Sequence, residues 1–272
     1  MPAIFEKLFK KKQTIVISYA SSAGRVRDAN EDNFYVDGIG TRTEREVGGY
    51  KEAEIPERCI IAVCDGMGGE KFGAEASEIA VKTLEEFADR LNTTEPDKLA
   101  DVVDEYVGEA NNRIVRMTKE RKADVSGSTL VLMCTVGTCA YTFSVGDSRI
   151  YYYNKSEGLR QVSQDQTLAA KKLKAGIYTE TEAKLSADAH KLTSFLGADK
   201  NSIGLKALRY EPFDISEGTV LLCSDGLTDM VEEPEIAEFL RKNGKDTASL
   251  LKDEALENGG LDNITCITFS IK

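Results

Sequence analysis

The sequence predicts an α+β fold, a sandwich of largely antiparallel sheets covered by helices. Three observations predict it. Runs of strand length, either continuously apolar or alternating, recur along the chain; continuous runs mark strands buried on both faces and alternation marks half-buried ones. Two pairs of helical stretches interrupt the strands instead of alternating with them one by one. Acids stand at the ends of several apolar strands, where a sheet can present a side chain to a ligand.

In chain order, 14–20 alternates and reads as a strand, and Asn33–Val36 as a second. Residues 37–58 are charged and contain glycine, and we expect a long hairpin connection there. The run Cys59-Ile60-Ile61-Ala62-Val63-Cys64 is the central strand; it ends on Asp65 and then Gly66-Met67-Gly68-Gly69, whose glycines permit a tight turn and close approach of a partner to the main chain. A helix over about 74–91 carries Ala76, Ile79, Ala80, Leu84 and Phe87 on one face. A second begins after Thr94, the expected N-cap, with Pro96 in its first turn. Strands follow at 128–136, 138–145 and 149–153, and Gly146-Asp147-Ser148 is expected to join the last two as a hairpin turn. A short strand is expected at 159–162. Residues 165–191 are polar and helical, and we expect a flap there. Strands return at 205–210 and 219–224, and Asp225-Gly226-Leu227 ends the latter. Helices are expected at 234–242 and 247–257, the latter with Asp246 as cap and Gly259-Gly260 as stop. Asp262 opens the last strand, Ile264–Ile271. There is no internal repeat, low-complexity tract or linker, so a single domain over 1–272 is expected.

The 41% hydrophobic and 30% charged residues fit a soluble globular protein. No apolar run approaches the ~20 residues of a membrane span. Residues 1–12 place lysines after a short apolar patch, the reverse of a secretory signal, so we expect a cytoplasmic protein. The net charge of −11 disfavours nucleic acid as a partner. Among the six cysteines two pairs are spaced by five. An odd spacing on a strand puts side chains on opposite faces, so buried thiols are expected, not zinc ligands. The single histidine, His190, is expected in a loop, and no nucleophile elbow accompanies it to suggest a Ser-His-Asp triad.

The residues left to carry chemistry are Arg27, Glu31, Asp32, Asp65, Asp147, Asp225 and Asp262. Taken singly, most have a plainer reading: an Asp-Gly is usually a turn and an arginine usually surface. Taken jointly, acids at several strand ends point to a shared hard cation. Oxygen donors without His or Cys suit Mg²⁺ or Mn²⁺. Such ions can deprotonate a water and an arginine can grip a phosphate, which together describe metal-assisted hydrolysis of a phosphate ester. Gly66-Met67-Gly68-Gly69 does not place its glycines as a dinucleotide fingerprint does, and no Walker sequence is present.

Six motifs stand in a fixed order: Arg27-Asp28-Ala29-Asn30-Glu31-Asp32, Asp65-Gly66-Met67-Gly68-Gly69, Gly127-Ser128-Thr129, Gly146-Asp147-Ser148-Arg149, Ser224-Asp225-Gly226-Leu227 and Asp262-Asn263-Ile264-Thr265. In these the chain resembles the protein phosphatase 2C family, the metal-dependent serine/threonine phosphatases, in its compact bacterial form, over about 14–272. The resemblance implies a four-layer α-β-β-α sandwich, two antiparallel sheets flanked by helix pairs, with a metal cleft at one end and a small helical flap beside it. It implies that Asp65, the Gly66 carbonyl, Asp225 and Asp262 hold two core Mn²⁺ or Mg²⁺ ions, with Glu31 and Asp32 contributing directly or through water. Asp147 with Asp225 matches a third, weaker site, Arg27 the phosphate-gripping arginine, and 165–191 the flap. The implied reaction is direct attack of a metal-activated water on phosphoserine or phosphothreonine in proteins, with Asp65 and Arg27 as catalytic residues and a serine/threonine kinase as antagonist. A monomer is expected. Three positions depart from the pattern: Met67 where some members carry histidine, Asp165-Gln166 where Asp-His is common after the short strand, and Ser128 where threonine is common. The alternatives are a phosphoprotein-binding module of the same fold without activity, a hydrolase of small phosphate esters, and a structural calcium cluster.

Overall fold

The computed structural model describes residues 14–37, 39–41, 46–68, 72–198 and 205–272. The basic start at 1–12 and Gly69 lie outside them. In chain order the elements are β1 (Thr14–Ser22), β2 (Asn33–Val36), β3 (Gly40–Thr41), β4 (Glu46–Glu54), β5 (Arg58–Cys64), β6 (Gly66–Met67), α1 (Phe72–Thr93), α2 (Leu99–Arg121), β7 (Gly127–Ser128), β8 (Leu130–Val136), β9 (Cys139–Val145), β10 (Arg149–Asn154), β11 (Gly158–Gln161), α3 (Leu168–Lys174), α4 (Glu180–Leu185), β12 (Leu208–Arg209), β13 (Phe213–Asp214), β14 (Gly218–Cys223), α5 (Asp225–Thr228), α6 (Glu233–Lys242), α7 (Thr247–Glu257) and β15 (Ile264–Ile271).

Two sheets carry the fold. One runs β11-β10-β14-β15-β1-β4; the other runs β12-β9-β8-β5-β2-β3, with β13 also on β9. Neighbouring strands are antiparallel. The layering follows from the period of two in strand side chains. On β5, Ile61 and Val63 face the other sheet and meet Ile17, Leu222 and Phe269, while Ile60, Ala62 and Cys64 face α1 and α2 and meet Leu84, Tyr106 and Ile114. That is why the central strand is apolar at every position from Cys59 to Cys64. A third core packs Tyr151, Leu221 and Cys223 under Ile236, Leu240 and Leu251 of α6 and α7. The result is the four-layer α-β-β-α sandwich. Each large apolar side chain buried in these layers contributes about 1.5–3 kcal/mol.

The ion pairs that tie α1 to α2, such as Arg113 with Glu86 and Arg90 with Glu105, are largely exposed. Exposed pairs contribute about 0–1 kcal/mol, so the apolar faces hold these helices. Cys59 faces the other sheet and Cys64 faces the helices, as the odd spacing requires, and the cysteines form no disulfide.

Four local expectations are corrected. Residues 46–54 form a strand, β4, at the edge of the first sheet, paired along its length with β1; its exposure alternates because only one face meets the core. Gly146-Asp147-Ser148 is not a hairpin turn: β9 and β10 belong to different sheets, and the chain crosses between them there. Gly146 makes the crossing with φ +102, a conformation open to glycine and strained for other residues, and a Cβ there would stand 2.7 Å from Thr129 Cγ2. Thr94 does not cap α2; its hydroxyl donates to the Arg90 carbonyl at the end of α1. The strand expected at 205–210 is confined to Leu208–Arg209.

Candidate active site

The strand ends bring the nominated residues together at one end of the seam between the sheets. Asp65 leaves β5 of one sheet, while Asp225 follows β14 and Asp262 precedes β15 of the other. Asp147 lies on the crossing from β9 to β10. Arg27 and Glu31 lie on a second crossing, from β1 to β2. Arg27, Glu31, Asp65, Gly66, Asp147, Asp225 and Asp262 all line one cleft of about 320 Å³. Asp32 does not. It is buried, accepts a 2.7 Å hydrogen bond from Ser224 Oγ, and borders a separate hollow beside Ser77.

Local bonds explain why these side chains hold their places. Asn263 is the main clamp. Its Oδ1 accepts from the Glu31 amide at 2.8 Å, and its Nδ2 donates to the carbonyls of Ala23 and Ala29 at 3.1 and 2.9 Å. One amide therefore ties the Arg27 loop to the start of β15. Thr129 Oγ1 accepts from the Asp65 amide at 3.0 Å, and the Thr129 amide donates to the Asp65 carbonyl at 2.8 Å. Gly66 fills a cradle with no room for a side chain: a Cβ there would stand 2.2 Å from the Gly73 carbonyl oxygen and 2.5 Å from that of Glu31. Gln166 bonds both polar groups of Gly146, its Oε1 accepting from the amide and its own amide donating to the carbonyl. It thereby fixes the crossing that carries Asp147.

The electrostatics are those of crowded carboxylates. Burial, then Asp32, Asp225 and Asp147, hold the Asp65 carboxyl well above the usual range. Burial, then Asp225 and Asp165, push Asp147 up to about 8. Burial also raises Asp32 to about 7, against the opposing hydrogen bond from Ser224. Asp225 keeps the charge: burial works against it, but His190, Asp65 and Arg149 outweigh burial and lower its pKa. Arg27 Nη2 donates to Asp262 Oδ2 at 2.7 Å, and that contact raises the arginine's pKa further. Like charges this close cannot all ionise without a compensating cation. Asp32 Oδ1 is buried with no partner among the described residues. The carboxylates lining the cleft offer oxygen donors, with the His190 imidazole at their edge, and no cysteine is among the described lining residues. The residues therefore fit hard divalent ions.

The sequence reading missed three contributors. His190 reaches the cleft from the turn after α4, with Nδ1 3.6 Å from Asp225 Oδ2 and 3.8 Å from Asp229 Oδ2; the Asp225 carboxylate, then Asp229, push its pKa up to about 9. Asp229 itself is raised to about 6 by burial and Asp225. Asn263 was quoted within a motif but given no role. A lone histidine in a polar stretch leaves no periodic signal, whereas the Asn263 clamp was detectable as a polar residue next to an apolar strand.

Comparisons with known proteins agree with this geometry. The sequence model described as Protein phosphatase 2C matches residues 53–259. The serine/threonine phosphatase stp of Listeria monocytogenes is 31% identical over 264 residues, covering 92% of this chain and 93% of the relative. The crystal structure of serine/threonine phosphatase Stp1 from Staphylococcus aureus superposes with a TM-score of 0.80 at 26% identity, covering 94% of each chain. The catalytic domain of the serine/threonine protein phosphatase PstP, solved in complex with 2 manganese ions, superposes with a TM-score of 0.73 at 27% identity, covering 94% of this chain and 99% of that one. With the strand-end carboxylates gathered in one cleft and the match running through both sheets, the chain belongs to the protein phosphatase 2C family and is a protein phosphatase of the bacterial type.

Proposed function

We propose that this chain hydrolyses phosphoserine and phosphothreonine in proteins as a metal-dependent phosphatase built from a single domain. The observation that carries the reading is the convergence of Asp65 from one sheet with Asp225 and Asp262 from the other, beside Arg27, in one cleft. In this reading Asp65, the Gly66 carbonyl, Asp225 and Asp262 hold two core ions, and Glu31 and Asp32 contribute directly or through water. Asp147 with Asp225 holds a third. Mn²⁺ or Mg²⁺ suits these donors, and the manganese complex of PstP supports the choice. Bound there, such ions supply an acidified water and offset charge on the phosphoryl group.

The chain's own residues do the rest. Arg27 is half exposed and already bonded to Asp262; it exchanges part of that contact for two phosphoryl oxygens when substrate enters. Asp65, whose carboxyl is held well above the usual range by burial and then by Asp32, Asp225 and Asp147, would give up its proton as ions bind. Asn263 and Thr129 keep the loop and strand ends in register. Met67 lines the cleft and has no proton to give, so the leaving oxygen is not protonated from that position. The phosphoryl group passes to water with no phosphorylated side chain; trapping one during turnover would sink this part.

The same reading places the protein in the cytoplasm as a monomer acting against a serine/threonine kinase. The acidic net charge supports it. Among the described residues no helix is long and apolar enough to cross a membrane. Among the described residues, exposed apolar side chains such as Val125 in the loop before β7, Leu185 on α4 and Leu250 on α7 stand on separate segments, and single scattered apolar residues mark no docking face. The test is release of phosphate from a phosphothreonine peptide by metal-stripped protein, with and without Mn²⁺, alongside Asp225→Asn. Metal-dependent release lost in the variant supports the assignment. No release from folded protein at any metal concentration overturns it in favour of a binding module.

A further inference from the structure

We infer that His190 supplies an imidazole nitrogen to a cation shared with Asp147 and Asp225, making this corner of the cleft a mixed nitrogen–oxygen site. Such a site takes Mn²⁺ or a later first-row divalent ion in preference to Mg²⁺. The inference rests on the reading of Asp225 as a core metal ligand.

Three observations carry it. First, one ligand atom from each of Asp147, His190 and Asp225 lies within 4.8 Å of the other two. Nδ1 stands 3.6 Å from Asp225 Oδ2, too far for a hydrogen bond. It is within the spacing of two ligands of one ion, at most about 4.2 Å for bonds of about 2.1 Å. Second, Asp147 is 7% exposed, and among the described residues no donor from another residue hydrogen-bonds its carboxylate. It points into the cleft that His190 borders and faces a cost that a cation would remove. Third, His190 is held toward this spot. The turn that carries it is anchored by Asp188, which is buried and takes hydrogen bonds from Lys172, Tyr178 and Lys191. Leu168 and Ala169 of α3 donate to the carbonyls of Lys191 and Asp188. The imidazole therefore comes to the carboxylates on a braced loop. Its 63% exposed side chain leaves an entry path for a hydrated ion.

A cation in this place would join the segment 165–191 to the end of β14, so that ion occupancy and the seating of that segment become one equilibrium. The histidine distinguishes this from an all-carboxylate site, which has no such preference against Mg²⁺.

The chain contains one histidine, and this makes the test clean. Untagged, full-length protein is loaded with increasing Mn²⁺ and examined by pulsed electron paramagnetic resonance, while bound Mn²⁺ is counted by equilibrium dialysis. The expected result is histidine-type ¹⁴N modulation that grows in with a third equivalent, survives excess Mg²⁺ and is displaced by Zn²⁺. His190→Gln should lose the modulation and weaken the third equivalent by roughly tenfold or more, with two Mn²⁺ still bound. Two or three bound Mn²⁺ with no ¹⁴N modulation at any loading would overturn the role of His190 and leave the core site standing. No Mn²⁺ bound at all would overturn both.

Discussion

Asp262 and His190 face the same cleft but are held there by different means. Asp262 accepts from the amide of its neighbour Asn263 at 2.8 Å, and Asn263 is itself fixed by three bonds to backbone groups of the β1–β2 loop. His190 sits on a turn braced by lysine contacts to Asp188, whose lysine partners are partly or largely exposed. The segment also pairs through Lys184 with Glu232, the N-cap of α6, both more than 60% exposed. Buried bonds to backbone cost about 1–3 kcal/mol to break when a partner is left unsatisfied, whereas exposed ion pairs contribute about 0–1 kcal/mol. The comparison teaches that the cleft's floor is set by strand register and its rim by replaceable surface contacts.

That contrast can be broken or sharpened by experiment, from the largest effect to the smallest. Asp65→Asn should lower phosphate release by more than the roughly 10–100-fold that a supporting residue costs. The metal-free variant should melt no lower than wild type, because one of several crowded carboxylates has been neutralised. Activity within tenfold of wild type would refute the floor assignment. Asn263→Ala should lower activity roughly 10–100-fold and stability by about 2–3 kcal/mol, since it strands the Glu31 amide and two carbonyls. Denaturant unfolding checks the second figure.

Acidity gives a third test. Asp32 and Asp147 bind protons more tightly folded than unfolded, with folded values of about 7 and about 8. Between the ordinary carboxylate pKa near 4 and those values the native state carries more protons. Stability of the metal-free protein should therefore fall as pH rises from about 5 to 8. Saturating Mn²⁺ or Mg²⁺ should flatten that slope. A metal-free melting temperature that climbs over this range would contradict the crowding of the floor. At the small end, Lys184→Ala should move the melting temperature by less than about 2 °C; a larger drop would mean that the rim is more than a surface contact.

How much was legible in the sequence follows the same division. The ends of β5 and β14 could be read because an apolar run stops at an acid and a glycine, and burial on both faces leaves no other pattern. β4 could not, because an edge strand with one exposed face and two glycines looks like a polar connection. The crossing at Asp147 was misread as a hairpin because three residues between strands usually make one. Only the neighbours of β9 and β10 show that the chain has changed sheets. Asp32 was placed with the cleft residues by motif, but the structure sets it behind Ser224. The place of His190 depends on contacts between α3 and the turn at Asp188, and nothing in its local sequence announces them.

The cysteines set a clock in each layer of the fold. Cys64 and Cys134 lie in the core under α1 and α2, Cys59 between the sheets, and Cys223 and Cys266 under α6 and α7. Burial pushes Cys59, Cys134 and Cys223 up to about 12, and only the thiolate reacts with alkylating reagents. Cys139, half-buried on β9, should be alkylated first. The order in which the remaining thiols become modified then reports which slab of the protein breathes open first, and how tightly the cleft's occupants hold the two sheets shut.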